Sequence, residues 1–282
     1  MDITYKIKDL GQLRYFSGLE IARPAKVIHL NQRKYTLSLL EDSGTLASEP
    51  SKTPSDPSIK LHMNQGTPLS DPSFYKRLVG RLIYSTHLTS AHRVLHYLKN
   101  SSSQGLVFNP DSTFKLSAFA DSDWACCIDT RKSITGFCVF LGSSLISWKT
   151  KTQNTVSRSS SEAEYRVLGS LVCELQWLDY LFTDLHIPIS LPTSVYCDNK
   201  SKIYLAHNPV FHERVKHIEI VCHIIREKNQ KGLIHLLSIP SADQLADAFT
   251  KALSPKSFQN FICKLCLCDR PTWGGMLISF LP

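Results

Sequence analysis

Lys115-Leu116-Ser117-Ala118-Phe119-Ala120-Asp121-Ser122-Asp123-Trp124 is the stretch from which the rest of the chain can be read. Residues 115–120 alternate as a half-buried strand does and run directly into two acids two positions apart. Residues 134–141 predict a second strand, Gly142-Ser143 a turn and residues 145–148 a third strand, so the three form a meander. Ser161 opens a long helix closing at His186, with Leu168, Leu171, Leu175, Leu178 and Leu181 along one stripe. Val195-Tyr196-Cys197 reads as a short strand stopping at Asp198-Asn199. Beyond it come a short helix over 201–207, a longer one over about 212–228, a strand over 233–239 and a last helix over 242–253. Ser241 followed by Gln244 predicts a capping box for that last helix. The order β-β-β-α-β-α-β-α implies an α/β (α+β) fold: a mixed sheet with helices packed on it.

Four acids fall at the ends of these elements: Asp121, Glu164, Asp198 and Asp247. Two unit charges 4 Å apart repel by about 4 kcal/mol even at an effective dielectric of 20. A fold that gathers four carboxylates is therefore most simply explained by divalent cations between them. Each position has a plainer reading. Asp121 could be a turn residue, with Asp123 its competitor on the same face. Ser161-x-x-Glu164 fits a capping box, yet Glu164 shares the stripe that must pack on the sheet, whereas Glu162 shares a face with Arg166. Asp198 could cap the helix after it, and either Asp243 or Asp247 could be an early-turn acid favoured by the helix dipole. Joint placement in one topology is what favours the cluster.

The bulk composition fits this picture. The chain has 282 residues, which suits two domains, and 43% apolar residues, enough for a real core. A net charge of +8 favours an anionic partner such as nucleic acid. Nine cysteines raise disulfide and zinc readings. No apolar stretch follows Met1, so a secretory signal is not expected and the thiols are expected reduced, in an intracellular protein of a cytoplasmic particle or the nucleus. Cys263-x-x-Cys266-x-Cys268 lacks a second ligand pair at zinc spacing. No apolar run is long enough to span a membrane, and no glycine-rich phosphate loop points to a small-molecule cofactor.

Before residue 113 the pattern is weaker. Tyr15, Phe16, Leu19 and Ile21 read as one strand, and Val27-Ile28 with Leu30 as a second. Residues 32–40 read as a helix, 47–73 as a Pro- and Ser-rich linker, and 72–85 and 91–100 as two further helices.

Several segments together resemble the ribonuclease H domain of copia-type retrotransposon Pol polyproteins. They are Ala120-Asp121-Ser122-Asp123-Trp124-Ala125, Ser147-Trp148-Lys149, Ser157-Arg158-Ser159-Ser160-Ser161-Glu162-Ala163-Glu164-Tyr165, Tyr196-Cys197-Asp198-Asn199, Asn208-Pro209-Val210-Phe211-His212-Glu213-Arg214 and Asp243-Gln244-Leu245-Ala246-Asp247. Lys8-Asp9-Leu10-Gly11 and Tyr15-Phe16-Ser17-Gly18-Leu19-Glu20-Ile21 look like the end of the preceding reverse transcriptase domain, and Pro271-Thr272-Trp273-Gly274-Gly275 like the family's C-terminal end.

The resemblance implies a ribonuclease H-like fold over 113–253. A reverse transcriptase palm and thumb remnant would occupy 1–46, a linker and truncated connection helices 47–112, and a tail 254–282. It implies that Asp121, Glu164, Asp198 and Asp247 hold two Mg²⁺ ions, with Mn²⁺ as a substitute. These would cleave the RNA strand of an RNA–DNA hybrid, one activating water and the other stabilising the leaving 3′-oxygen. Lys149, Lys151 and Arg158 are expected phosphate partners, and Asn154, Ser160 and Asn199, with Gln153 and the neighbouring serines, expected contacts to the hybrid. An intact reverse transcriptase is a possible partner. No Asp-Asp pair occurs in the chain, so polymerisation is not expected. The family's helical stretch between Leu88 and Ala91 is missing, so uncovered apolar surface is expected in the connection region. The competing reading is a catalytically silent remnant that binds nucleic acid or protein. An integrase-type site would need its Glu last, and here Glu164 precedes Asp198.

Overall fold

The computed structural model describes residues 11–24, 26–59, 62, 88–198 and 218–269. Two five-stranded sheets organise them. The first contains β1 (Tyr15–Phe16), β2 (Leu19–Ala22), β3 (Ile28–Asn31), β4 (Gln104–Phe108) and β10 (Leu267–Asp269), in the order β1-β2-β3-β4-β10. The second contains β5 (Lys115–Asp123), β6 (Ile134–Leu141), β7 (Ser144–Thr152), β8 (Ser190–Cys197) and β9 (Ile234–Ser238), in the order β7-β6-β5-β8-β9. Within the second sheet β5, β6 and β7 pair antiparallel, while β8 and β9 join β5 in parallel. A three-strand meander extended by two parallel strands is the mixed sheet that the element order predicts, and it has the ribonuclease H-like arrangement that the resemblance implies.

The helices are α1 (Arg33–Asp42), α2 (Leu88–Asn100), α3 (Ser160–Asp184), α4 (Glu219–Gln230) and α5 (Pro255–Lys264), with two short 3₁₀ segments at Ser241–Asp243 and Leu245–Phe249. α3 buries the stripe Leu168, Leu171, Leu175 and Leu178 against Leu116, Ala118 and Ala120 of β5, Phe137 and Val139 of β6, and Val195 of β8. Strand alternation sends the next residues to the opposite face. There Cys138, Phe140 and Leu145 meet Leu245, Phe261 and Leu265 from the C-terminal segments. Covered on both sides, β6 is buried continuously over 135–140, which is why its sequence is almost unbroken in apolar and small residues. A smaller cluster, Leu39 and Leu40 with Ala91 and Leu95, joins α1 to α2.

Several sequence expectations change. Residues 15–21 form a tight hairpin rather than one strand, because Ser17 and Gly18 both take positive φ, at 48° and 85°. β5 continues through Asp121 to Asp123, and β7 runs on to Thr152. Ser159, not Ser161, caps α3, its side chain accepting from the Glu162 amide. The expected helix over 242–253 is two 3₁₀ turns interrupted at Gln244, whose backbone is extended and whose side chain crosses to β5. Of the expected helix over 212–228, residues 212–217 lie outside the described residues and the remainder falls in α4 (Glu219–Gln230), preceded by Ile218. The expected helices over 72–85 and 201–207 lie outside the described residues.

Candidate metal centre

Parallel pairing of β5 with β8 places the ends of both strands side by side. Phe119 is the partner of Tyr196, so two residues further on Asp121 and Asp198 come level. Glu164 reaches the same place from the first turn of α3. One carboxylate oxygen from each of Asp121, Glu164 and Asp198 lies within 4.8 Å of the other two. Asp121 and Glu164 are only 2% and 8% exposed, so water cannot do most of the work of separating their charges.

Glu162 and Glu164 divide the two jobs that the sequence leaves open for either. Glu162 Oε2 accepts from the Arg158 amide and Oε1 from the Arg166 guanidinium, at 2.9 and 2.8 Å, so Glu162 serves the helix terminus. Glu164, two residues on, faces the strand ends.

Asp247 arrives on the second 3₁₀ turn, and a set of long-range contacts places it. Gln244 is fully buried; its Nε2 donates to the Ala120 carbonyl at 3.1 Å, and its Oε1 accepts from the Ala246 amide. Gly136, the β6 partner of Asp121, lets that turn approach: a Cβ at this position would lie 2.5 Å from Thr250 Cγ2. Thr250 Oγ1 donates to Asp121 Oδ2. Lys251 Nζ lies 2.8 Å from Asp247 Oδ1 and 3.4 Å from Asp121 Oδ2. Burial raises the Asp247 pKa, and the charges of Asp121 and Asp198 add to the rise against the pull of Lys251. Burial likewise raises Asp123, with Lys251 opposing and Asp121 reinforcing. For Lys251, burial lowers the pKa, but hydrogen bonding to Asp247 and the charges of Asp121 and Asp247 outweigh it, and the net direction is up.

Neither Thr250, Lys251 nor Gln244 is among the candidates read from the sequence. Lys251 had a local signal, since it stands four residues after Asp247, the spacing of a helical ion pair. Gln244 had only its capping pattern, and nothing local signals its contact to Ala120, which is 124 residues away.

The residues expected to meet nucleic acid separate into two groups. Lys149 and Lys151 are exposed on β7, beside Trp148; Asn154 and Arg158 are exposed on the loop leading to α3, and Ser160 at the first residue of that helix. Lys149 Nζ rests 5.7 Å from the Phe137 ring centre. Gln153 and Ser157 are instead turned inward. Gln153 Nε2 donates to the Ala163 carbonyl and to Thr135 Oγ1, and its Oε1 accepts from Ser157 Oγ. Trp124 Nε1 donates to the Ser157 carbonyl, tying the end of β5 to the same loop. Asn199 lies outside the described residues.

The donor set suits a hard divalent cation: its ligands are carboxylate oxygens, with no thiol or imidazole among the three that converge. Among the described residues Cys126, Cys127, Cys138, Cys173, Cys197, Cys222, Cys263 and Cys266 form no disulfide. No helix among the described residues is long and apolar enough to cross a membrane.

Fold and strand-end acids together define a ribonuclease H-like domain. No family model matches the chain. It is 39% identical to the retrovirus-related Pol polyprotein from transposon RE2 of Arabidopsis thaliana, over 97% of this chain and 20% of that polyprotein. The corresponding polyprotein from transposon TNT 1-94 of Nicotiana tabacum is 28% identical over 93% of this chain and 22% of its own length. An uncharacterized mitochondrial protein of Arabidopsis thaliana is 38% identical over 62% of this chain and 82% of its own length. The chain is thus homologous to a segment of the retrovirus-related Pol polyproteins of copia-type transposons, and it spans about a fifth of the length of the transposon polyproteins named here. Among solved structures, the N-terminal ribonuclease H domain of a Mycobacterium tuberculosis protein overlays 53% of this chain and 96% of its own, at 14% identity and a TM-score of 0.37. A ribonuclease H1 recovered from compost overlays 52% of this chain and 98% of its own, at 14% identity and a TM-score of 0.38. Overlap at those scores is slight, and the fold assignment rests on the strand order and pairing described above.

Proposed function

We propose that the protein is a divalent-metal-dependent ribonuclease H that hydrolyses the RNA strand of an RNA–DNA hybrid, with two Mg²⁺ ions as its natural cofactors and Mn²⁺ as a substitute. One observation carries this reading. Asp121 and Asp198 stand level at the ends of adjacent parallel strands, and Glu164 completes a cluster within 4.8 Å. Such a cluster of carboxylates is strongly self-repelling unless a cation is shared among them.

Asp121, Glu164, Asp198 and Asp247 would hold the ions, which when bound supply Lewis-acid polarisation of the phosphodiester and an activated water. The chain's own contribution is placement. β5 and β8 fix two carboxylates relative to each other, α3 brings the third, and Gln244 and Thr250 hold the fourth acid's segment against β5. The exposed Lys149, Lys151 and Arg158 would meet phosphates, with Asn154, Ser160 and Asn199 beside them. Recognition of RNA would come from contacts to 2′-hydroxyls across the hybrid's minor groove.

In this reading residues 113–253 are the nuclease, 1–46 a reverse transcriptase remnant, 47–112 the linker and connection, and 254–282 the tail. The protein would act inside the cell, alone or beside an intact reverse transcriptase, and would not polymerise. The test is incubation of the purified chain with an end-labelled RNA–DNA hybrid, with Mg²⁺ and with EDTA. Internal cleavage of the RNA strand is expected only with metal and is expected to disappear in Asp121→Asn and Asp198→Asn. Hybrid binding without cleavage in every condition would instead identify a silent remnant.

A further inference from the structure

Lys251 has an unusual position for an ordinary surface lysine. The Lys231–Glu227 pair shows what such a lysine does: one contact, with both side chains well exposed at 66% and 38%. Lys251 makes the same kind of four-residue contact to Asp247, but its ammonium also reaches Asp121, a carboxylate 2% exposed on the central strand. That second contact is built into the fold. The 3₁₀ turn can approach β5 because Gly136 has no side chain, and the neighbouring Thr250 is fastened to the same Asp121 oxygen.

We infer that Lys251 is a tethered cation that occupies the Asp121–Asp247 side of the acidic cluster and must be displaced before a divalent ion can bind there. The inference rests on the metal-site reading above and makes that site two unlike halves. One half is the triad Asp121, Glu164 and Asp198. The other is the Asp121–Asp247 pair, into which the ammonium projects. A divalent ion entering the second half must replace attractions that Lys251 already makes with both acids, so its net gain there is smaller. A phosphodiester brought to the site gives the ammonium another anion to meet. Nucleic acid and the second ion then enter together, and the protein alone loads one half first. Lys251 is a positioning residue in this account, since it acts on the reaction through the ions.

Calorimetric titration of the full chain with Mn²⁺ in the absence of nucleic acid tests this, alongside thermal unfolding in EDTA and in Mn²⁺. Removing the competing charge in Lys251→Met should tighten Mn²⁺ binding at least about fivefold, the low end of typical coupling between two binding events. The same variant should unfold at lower temperature in EDTA and gain more from Mn²⁺ than the unsubstituted chain does. Lys251→Gln, neutral but still able to donate a hydrogen bond, should behave likewise and serves if the Met variant folds poorly without metal. Lys251→Arg should stay near the original affinity. Equal or weaker Mn²⁺ binding in folded Met and Gln variants would overturn the inference while leaving the metal site intact. Failure of the unsubstituted chain to bind Mn²⁺ at all would remove the metal-site reading, and this one with it.

Discussion

The two sheets solve the same problem with unequal means. In the second sheet both faces are covered, by α3 and α4 on one side and by the C-terminal segments on the other. In the first sheet, β1 is exposed along its length and β2 only half-buried; Tyr15 and Phe16 stand 50% and 63% open. The lesson concerns dependence: every acid of the candidate site sits on the well-covered sheet or on an element fastened to it.

Substitutions can break this contrast from its strongest point downward. Leu168→Ala opens a cavity in the core between α3 and the second sheet, where Leu168 is 1% exposed. It should cost about 2–5 kcal/mol, read as a fall in the denaturation midpoint, and should weaken Mn²⁺ binding as well. Gly136→Val would drive a side chain into Thr250 and Phe249. Overpacking of this kind costs about 1–3 kcal/mol, and displacement of the turn should separate Asp247 from Asp121, measurable as lost metal response. Gln244→Ala would remove the buried hydrogen bond to the Ala120 carbonyl at a cost of about 1 kcal/mol or more. By contrast, Phe16→Ser in the first sheet should change stability by no more than about 0.5 kcal/mol and leave Mn²⁺ binding untouched.

The smallest effect concerns pH. Asp123 and Asp247 both have folded pKa values raised above 3.8. Each therefore binds a proton more readily folded than unfolded. Their favourable contribution is complete below the unfolded value and is lost as pH rises through the raised folded value. In EDTA, stability measured by urea denaturation should decline across that acidic window as pH increases, and Asp123→Asn should make the decline shallower.

The sequence was legible where the pattern is local. The six-residue alternation before Asp121, the apolar run of β6 and the leucine stripe of α3 each carry their own period, and the element order of the second sheet followed from them. β4 and β10 escaped notice because each is short and gains its meaning from the other: Leu267 pairs with Leu106 across most of the chain. The interrupted last helix failed for the same reason, since its local capping pattern lost to a hydrogen bond from Gln244 to Ala120. At the site, helical phase was enough to separate Glu164 from Glu162. It could not show that Ser159 would take the capping role, which depends on that residue's extended backbone. Lys251 went unread because an acid and a lysine four apart are commonplace, and only the tertiary approach of Asp121 gives the pair a second partner.

The central claim is that Asp121, Glu164 and Asp198 form one cation site. Anomalous X-ray scattering from a crystal of the chain soaked in Mn²⁺ addresses it most directly. The account predicts an anomalous peak within coordination distance of oxygens from all three side chains, about 2.0–2.6 Å for hard divalent ions. A peak bound elsewhere, with these three carboxylates left uncoordinated, would contradict it.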